Sequence, residues 1–309
     1  MRRALLLFLF SVFLLRGYAQ PLVLSSTNVA SANNIRLHWT WTPSKPSATY
    51  GFTLYQWDDV LGDWQSTSIK CNDTIRVLNV FPDIAASNTL KTWMDDPAIG
   101  FGKIVVMPVP ISNFNSNPDS YLKDGSGVYI YDVIMFGSRD QNYQKDISVA
   151  AAVAVRTFLD AGRGVLFGHD TQTSLFDNAN GRPNFVSLRD KTKLDIEPFD
   201  ERRYLFRGST NIRVINDGFL LKYPHIIPYG VNLVIPFTHT TGQTAKGIVW
   251  MNFPNTVGAT SDFINPPQIV NGGTNDFYLT TWNNAAMIQT GHTSGQATTD
   301  EKKILANTL

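Results

Sequence analysis

Four short apolar runs constrain the fold of this chain more than any other feature. They cover residues 75–80 (IRVLNV), 104–109 (IVVMPV), 131–136 (YDVIMF) and 164–167 (GVLF). Continuous apolar runs of this length are typical of strands that are buried on both faces of a parallel sheet. Residues 148–161 carry apolar side chains at helical spacing, with Asp146 or Ser148 as the N-cap and Gly162 as the C-terminal stop. The pattern predicts an α/β domain with a mostly parallel sheet over residues 71–309.

Later segments add strands and a final helix to this prediction. Residues 233–237 (LVIPF) and 247–251 (GIVWM) read as further strands. Residues 277–282 and 285–289 flank Asn283-Asn284, which predicts a hairpin. Residues 299–309 read as a helix that starts near Thr299 or Asp300.

The segment before the α/β domain has a different period. Ile35, Leu37 and Trp39 alternate with polar residues, which predicts a small β-rich segment over residues 20–70. This segment resembles about half of a fibronectin type III module, a fold that normally has about 100 residues. Its tryptophans are expected either to pack against a neighbouring surface or to stack on sugar rings.

Residues 1–19 have the form of a secretory signal peptide. Arg2 and Arg3 precede a short apolar run, and a small-residue pattern ends at Ala19. An uncleaved anchor is the alternative, but the run is shorter than the roughly 20 residues of a spanning helix. We therefore expect a secreted or cell-surface protein with no membrane span after cleavage.

Cleavage removes three arginines from 26 basic residues and leaves 23 against 25 acidic ones, a balance that does not favour nucleic acid as a partner. The chain has one cysteine, which excludes a disulfide framework within the chain and a multi-cysteine zinc site.

The succession YDVIMFG, helix, GRGVLFGHD resembles the class I glutamine amidotransferase-like superfamily. The resemblance implies a flavodoxin-like three-layer sandwich, preceded here by the small β-rich segment. It places Leu166 where amidotransferases carry the nucleophilic cysteine, and an apolar side chain cannot attack a substrate. The later run at His292 keeps the histidine of the family but lacks its glutamate, so glutamine hydrolysis is not expected.

Two narrower groups share more of this pattern. The trehalose-utilisation-protein-like branch resembles the chain in its strand, helix and glycine-rich turn, and in a late Thr-Gly-His. An uncharacterised bacterial family of secreted or cell-surface proteins is similar over about residues 75–309, through VLNVFPD, YDVIMFG, GRGVLFGHDT, LTTWNN and QTGHTSG. That resemblance implies no particular chemistry.

The turns after the predicted strands supply the candidate site. The carboxyl ends of parallel strands meet at one edge of a sheet, where ligands of open α/β sheets bind. The candidate catalytic residues are His169, Asp170 and His292, and the candidate ligand-binding residues are Asp83, Ser138, Arg139, Asp140 and Trp282. A catalytic role requires His169 and His292 to lie within about 10 Å of each other and to reach an open pocket. The alternative is that both histidines donate to backbone carbonyls and brace the sheet edge.

Two functions remain open on this basis. The first is a non-catalytic module that binds carbohydrate or another small polar ligand at or outside the cell surface. The second is a secreted hydrolase or isomerase that acts on a sugar-like substrate through His169, Asp170 and His292. Two or three histidines with an aspartate could hold a transition metal, but no short spacing such as His-x-x-x-His is present, so no metal and no cofactor are expected.

Overall fold

The structure is a computed structural model of the chain. It describes residues 23–29, 34–40, 51–58, 63–70, 74–82, 88–137, 139–169, 171–172, 182–196, 208–239, 243–253, 277–293 and 295–309. The chain divides into two compact units, Met1–Asp73 and Thr74–Leu309. The signal peptide predicted for residues 1–19 and Cys71 lie outside the described residues.

The N-terminal unit contains two antiparallel strand pairs. β1 (Val23–Val29) pairs with β2 (Asn34–Thr40), and β3 (Gly51–Asp58) pairs with β4 (Asp63–Lys70). Each pair forms a separate two-stranded sheet among the described residues of this unit.

The C-terminal unit combines one large sheet with short helices. Its strands are β5 (Ile75–Phe81), β6 (Ile104–Pro110), β7 (Val133–Phe136), β8 (Gly164–Phe167), β9 (Leu194–Ile196), β10 (Gly208–Val214), β11 (Asn232–His239), β12 (Gln243–Ala245), β13 (Ile248–Asn252), β14 (Phe277–Trp282) and β15 (Ala285–Ile288). Its α-helices are α1 (Thr89–Asp95), α2 (Ile111–Ser116), α3 (Pro118–Leu122), α4 (Val149–Asp160), α5 (Pro183–Val186), α6 (Arg189–Thr192) and α7 (Thr299–Thr308). Two 3₁₀ helices cover Asp140–Gln144 and Phe219–Leu221.

The large sheet is mixed, so the predicted flavodoxin-like sandwich with a mostly parallel sheet is wrong. The strand order is β11-β10-β13-β14-β15-β8-β7-β5-β6, and β9 and β12 form a separate pair. The neighbours from β15 to β6 are parallel, whereas those from β11 to β15 are antiparallel. Half of the neighbouring pairs in this sheet are therefore antiparallel, where a mostly parallel sheet was predicted.

The connections explain the antiparallel half. A parallel pair needs a crossover of a dozen or more residues, whereas an antiparallel pair can be joined by a two-residue turn. The predicted hairpin at Asn283-Asn284 is confirmed, and it joins β14 to β15 with Trp282 opposite Ala285. Asn283 has a φ of 51°, in the left-handed region that asparagine tolerates. An apolar run shows that a strand is buried but not which way it runs.

The core lies on both faces of the sheet. β7 is buried along its whole length, and its successive side chains enter opposite layers. Ile134 and Phe136 pack with Phe158 of α4, while Val133 and Met135 pack in the layer that contains α1 and α7. β7, the neighbour of β8 in the sheet, is therefore held by packing on both faces.

The long central helix follows its sequence signals. α4 covers Val149–Asp160, and the Ser148 side chain accepts a hydrogen bond from the Ala151 amide at 3.1 Å. Gly162 follows with a φ of 81°, a left-handed conformation that ends the helix. This confirms the predicted helix and its caps, and it places the start of β8 two residues later.

Candidate metal centre

Two parallel strands end beside each other at what we call the carboxyl edge of the sheet. Ala285 pairs with Val165 and Met287 with Phe167, so β15 and β8 run side by side in the same direction. Beyond their ends the His169 amide donates to the Thr290 carbonyl at 2.9 Å. This bond holds the two following turns together and brings His169 close to His292.

The turn that carries His169 is fixed by a contact between two glycines. The Gly168 amide donates to the Phe136 carbonyl at 2.9 Å, which ties the end of β8 to the end of β7. A Cβ atom on Gly168 would lie 1.9 Å from the Gly137 carbonyl oxygen. The Thr171 hydroxyl then donates to the Gly168 carbonyl at 2.7 Å. Glycine at position 168 is thus needed for the approach that directs His169.

A third strand reaches this edge because the antiparallel half of the sheet curls. Four neighbour spacings of about 4.8 Å would put β11 roughly 19 Å from β15 in a flat sheet. Instead the Thr238 hydroxyl on β11 donates to the Gln289 carbonyl after β15 at 2.7 Å. The direction of β11 matches that of β15, since each of the four intervening pairings is antiparallel. The carboxyl end of β11, His239, therefore arrives at the same edge.

A bulge in β11 sets the direction of this strand end. Ser209 of β10 faces Thr238, whereas Asn211 faces Val234, so three residues of β11 lie opposite one residue of β10. Bulges bend a strand, raise its local twist and re-aim the side chains that follow. Thr238 and His239, directly after the bulge, are both buried.

His169, His239 and His292 form a compact group that we call the histidine cluster. Its ring centroids lie 4.6 Å apart for His169 and His239, 4.9 Å for His169 and His292, and 4.5 Å for His239 and His292. One ring nitrogen from each histidine lies within 4.8 Å of the other two. Nitrogen ligands of a tetrahedral zinc ion lie about 3.4 Å apart when each bond is about 2.1 Å. Nitrogens as much as 4.8 Å apart would therefore have to approach one another by about 1.4 Å to bind one zinc ion.

The hydrogen bond of His169 identifies its ligand atom. The His169 Nε2 lies 3.1 Å from the His239 carbonyl oxygen. A carbonyl can only accept, so Nε2 carries the hydrogen and Nδ1 keeps its lone pair. Metal-ligating histidines commonly donate their other ring N–H in this way. Donation to a backbone carbonyl is also what the predicted bracing of the sheet edge requires. His169 can brace the edge through Nε2 and bind a metal through Nδ1 at the same time.

The three histidines differ in exposure. His169 is fully buried and His239 nearly so, whereas His292 is partly exposed. The Phe237 ring lies against His292 with a centroid distance of 5.8 Å, and 43% of Phe237 is exposed. The exposed side of the cluster is therefore the side of His292 and Phe237.

A buried acid lies behind the turn that carries His292. Tyr278 donates to Glu301 Oε1 at 2.7 Å, and both side chains are buried. Burial raises the pKa of Glu301 from 4.5 to about 7, against the opposing effect of hydrogen bonds from Tyr278 and Thr290. The pKa of the Tyr278 hydroxyl is raised well above its usual value, first by burial and then by the nearby Glu301.

Most of the other predicted site side chains lie outside the described residues. Asp83, Ser138 and Asp170 lie outside the described residues, as does the side chain of Asp140. The Arg139 guanidinium lies over the rings of Phe81 and Tyr143, at 5.9 and 5.5 Å.

Trp282 lies at the opposite edge of the sheet. It is the last residue of β14, which is antiparallel to β15, and its partner Ala285 pairs with Val165 near the start of β8. Its ring contacts the Lys193 ammonium at 5.7 Å. Trp282 therefore does not belong with the histidine cluster.

Leu166 lies within a strand and not at a turn. It pairs with Met135 on one side and Ala286 on the other, and it is buried. The position that resembles a nucleophile site in the sequence thus carries a core residue.

Sequence reasoning missed His239. His239 follows the apolar run of residues 233–237 and stands between Thr238 and Thr240. This position after a predicted strand is its only local signal in the sequence. The three histidines are separated by 70 and 53 residues, so no ligand spacing links them. The structure brings His169 and His292 together, well inside the 10 Å that a shared site requires, and adds His239.

Comparison with known proteins leaves the family open. No protein-family model matches the sequence, and no curated protein does. The predicted relation to the glutamine amidotransferase-like superfamily therefore stays a prediction. Among the described helices, none has both the length and the apolar character that a membrane span requires.

Two solved structures are similar to this chain. Cytoplasmic Protein STM1381 from Salmonella typhimurium LT2 is 13% identical, with 79% of this chain and 85% of that chain covered and a TM-score of 0.41. Cytoplasmic Protein STM3548 from Salmonella typhimurium is 12% identical, with 84% of this chain and 94% of that chain covered and a TM-score of 0.39. Both are named as cytoplasmic proteins, which stands against the prediction of a secreted or cell-surface protein.

Proposed function

We propose that this protein binds a zinc ion through His169, His239 and His292. The observation that carries the proposal is that three of the five histidines in the chain place ring nitrogens within 4.8 Å of one another. Imidazole suits zinc and its neighbours in the first transition series. This proposal replaces the sequence-based expectation that the chain uses no metal. A carbohydrate or other small polar ligand stays a prediction.

Burial supports a metal role over a purely structural one. Two of the three histidines are buried, where ring nitrogens need a hydrogen-bond partner or a metal ion. A zinc ion bound by the three lone pairs would hold all the rings together. The His169 bond to the His239 carbonyl supplies the outer support that metal-bound histidines usually have.

Titration of the metal-free full chain with Co²⁺, followed by Zn²⁺, tests this proposal. We expect one Co²⁺ per chain, with the visible absorption of a four-coordinate ion, and displacement of Co²⁺ by Zn²⁺. His239→Ala should weaken binding at least about tenfold, because a zinc site depends on each protein ligand. Acidification should release the metal, since protons compete for the imidazole lone pairs.

His225→Ala is the matched control for this substitution. His225 is also buried, and its Nε2 lies 2.8 Å from the Ile99 carbonyl, but it is not a member of the histidine cluster. It should keep the metal affinity of the wild type. Equal affinities of the wild type and His239→Ala, with both variants folded by circular dichroism, would rule the site out.

A further inference from the structure

The histidine cluster supplies three ligands, one fewer than a tetrahedral zinc ion takes. A zinc ion held by three protein ligands keeps a fourth position for water or substrate. Of the three histidines, only His292 is partly exposed, and Phe237 lies beside it. A fourth ligand from solvent would therefore approach on the side of His292 and Phe237.

The three ligands that the described residues supply are electrically neutral. Neutral imidazoles leave the double positive charge of zinc uncompensated, which makes the ion a strong Lewis acid. Water bound to such a zinc ion has a pKa near 7, far below that of bulk water. A bound hydroxide is then available at neutral pH.

We propose, on the basis of the zinc site proposed above, that this centre hydrolyses carboxylic esters and that Phe237 contacts the apolar part of the ester. An exposed aromatic ring at the entrance favours an apolar group over a charged phosphate. The exposed ring therefore favours a carbonyl substrate that carries an apolar group.

The reaction needs only water as co-substrate. Zinc-bound water releases a proton to solvent, and the resulting hydroxide attacks the ester carbonyl carbon. The carbon–oxygen bond to the alcohol then breaks, and the leaving alkoxide takes the proton that the attacking hydroxide brought, so that a carboxylate remains. The carboxylate leaves zinc, and a new water molecule takes its place, so no oxidant or reductant is required.

Hydrolysis of 4-nitrophenyl acetate and 4-nitrophenyl hexanoate by the full chain tests this proposal. The zinc-loaded protein should hydrolyse both esters at least about tenfold faster than the same protein after chelation, with recovery when zinc is added back. The rate should rise with pH through the neutral range, as the bound water ionises. Hydrolysis of 4-nitrophenyl phosphate in place of the carboxylic esters would overturn the substrate class.

Phe237→Ala tests the specificity role. It should lower kcat/KM for the hexanoate several-fold more than for the acetate, because the longer acyl chain makes more apolar contact. Phe101→Ala is the matched control, since Phe101 is another exposed phenylalanine and its ring contacts His225, which is not part of the cluster. It should leave the preference between the two esters unchanged. If Phe237→Ala lowers kcat/KM equally for both esters, Phe237 does not contact the acyl chain.

Metal binding, measured separately, distinguishes the two proposals. A chain that binds zinc through the cluster but shows no zinc-dependent ester hydrolysis would overturn the inference and keep the proposed function. A chain that binds no zinc would overturn both.

Discussion

Gly168→Ala is expected to destabilise the protein by about 3 kcal/mol or more, at the upper end of what overpacking costs. The added methyl group would lie 1.9 Å from the Gly137 carbonyl oxygen, a backbone atom that cannot rotate away. Relief requires separating the ends of β7 and β8, which are joined by the bond from the Gly168 amide to the Phe136 carbonyl. Denaturant unfolding with a fixed m-value measures the loss.

Gly125→Ala is the control for this substitution. A Cβ atom on Gly125 would meet nothing within 4 Å, and Gly125 is not among the glycines with a positive φ. Its effect on stability should stay within about 0.5 kcal/mol, as for most surface changes. If the two variants unfold at the same denaturant concentration, the close contact of Gly168 with Gly137 does not exist in solution. Because His169 follows Gly168 directly, any Gly168→Ala protein that still folds should also bind zinc more weakly than Gly125→Ala.

The parallel part of the sheet was predictable because burial on both faces leaves a direct signal in sequence. Residues 133–136 and 164–167 are apolar throughout, and β7 and β8 lie in the interior of the sheet. The same signal was ambiguous for residues 233–237 and 247–251. Their apolar character showed burial but could not show that β11 and β13 lie in an antiparallel half, since strand direction depends on connections.

The site was predictable only as far as that parallel part extends. His169 and His292 follow two neighbouring parallel strands, and the rule that such ends meet was sufficient to pair them. His239 depends on the curl of four further strands and on a bulge in β11, both of which arise from tertiary packing. Trp282 was misplaced for the related reason that β14 runs the opposite way.

Glu301 gives the protein a predicted loss of stability as the pH rises. Its carboxyl group has a pKa of about 7 in the folded chain and about 4.5 when exposed, because burial disfavours the charged form. Below about pH 4.5 the carboxyl group is protonated in both the folded and the unfolded chain, so it does not lower the free energy of unfolding. Between 4.5 and 7 the unfolded chain releases the proton while the folded chain keeps it, so stability falls. Above about pH 7 the full penalty of about 3 kcal/mol is present.

Glu301→Gln should remove this dependence. Glutamine keeps an oxygen that can accept the Tyr278 hydrogen bond, and it cannot ionise. The variant should therefore gain up to about 3 kcal/mol in free energy of unfolding, relative to the wild type, between pH 5 and pH 8. Denaturant unfolding at both pH values measures this difference.

Thr298→Ala separates ionisation from the general stability of α7. The Thr298 hydroxyl caps the helix by accepting from the Glu301 amide at 3.1 Å, so its loss should cost about 1 kcal/mol. Threonine does not titrate in this range, and the cost should be the same at pH 5 and pH 8.

A Glu301→Gln effect that is also equal at the two pH values would show that Glu301 is charged in the folded protein at neutral pH. The buried Tyr278 hydroxyl would then donate its hydrogen bond to a carboxylate.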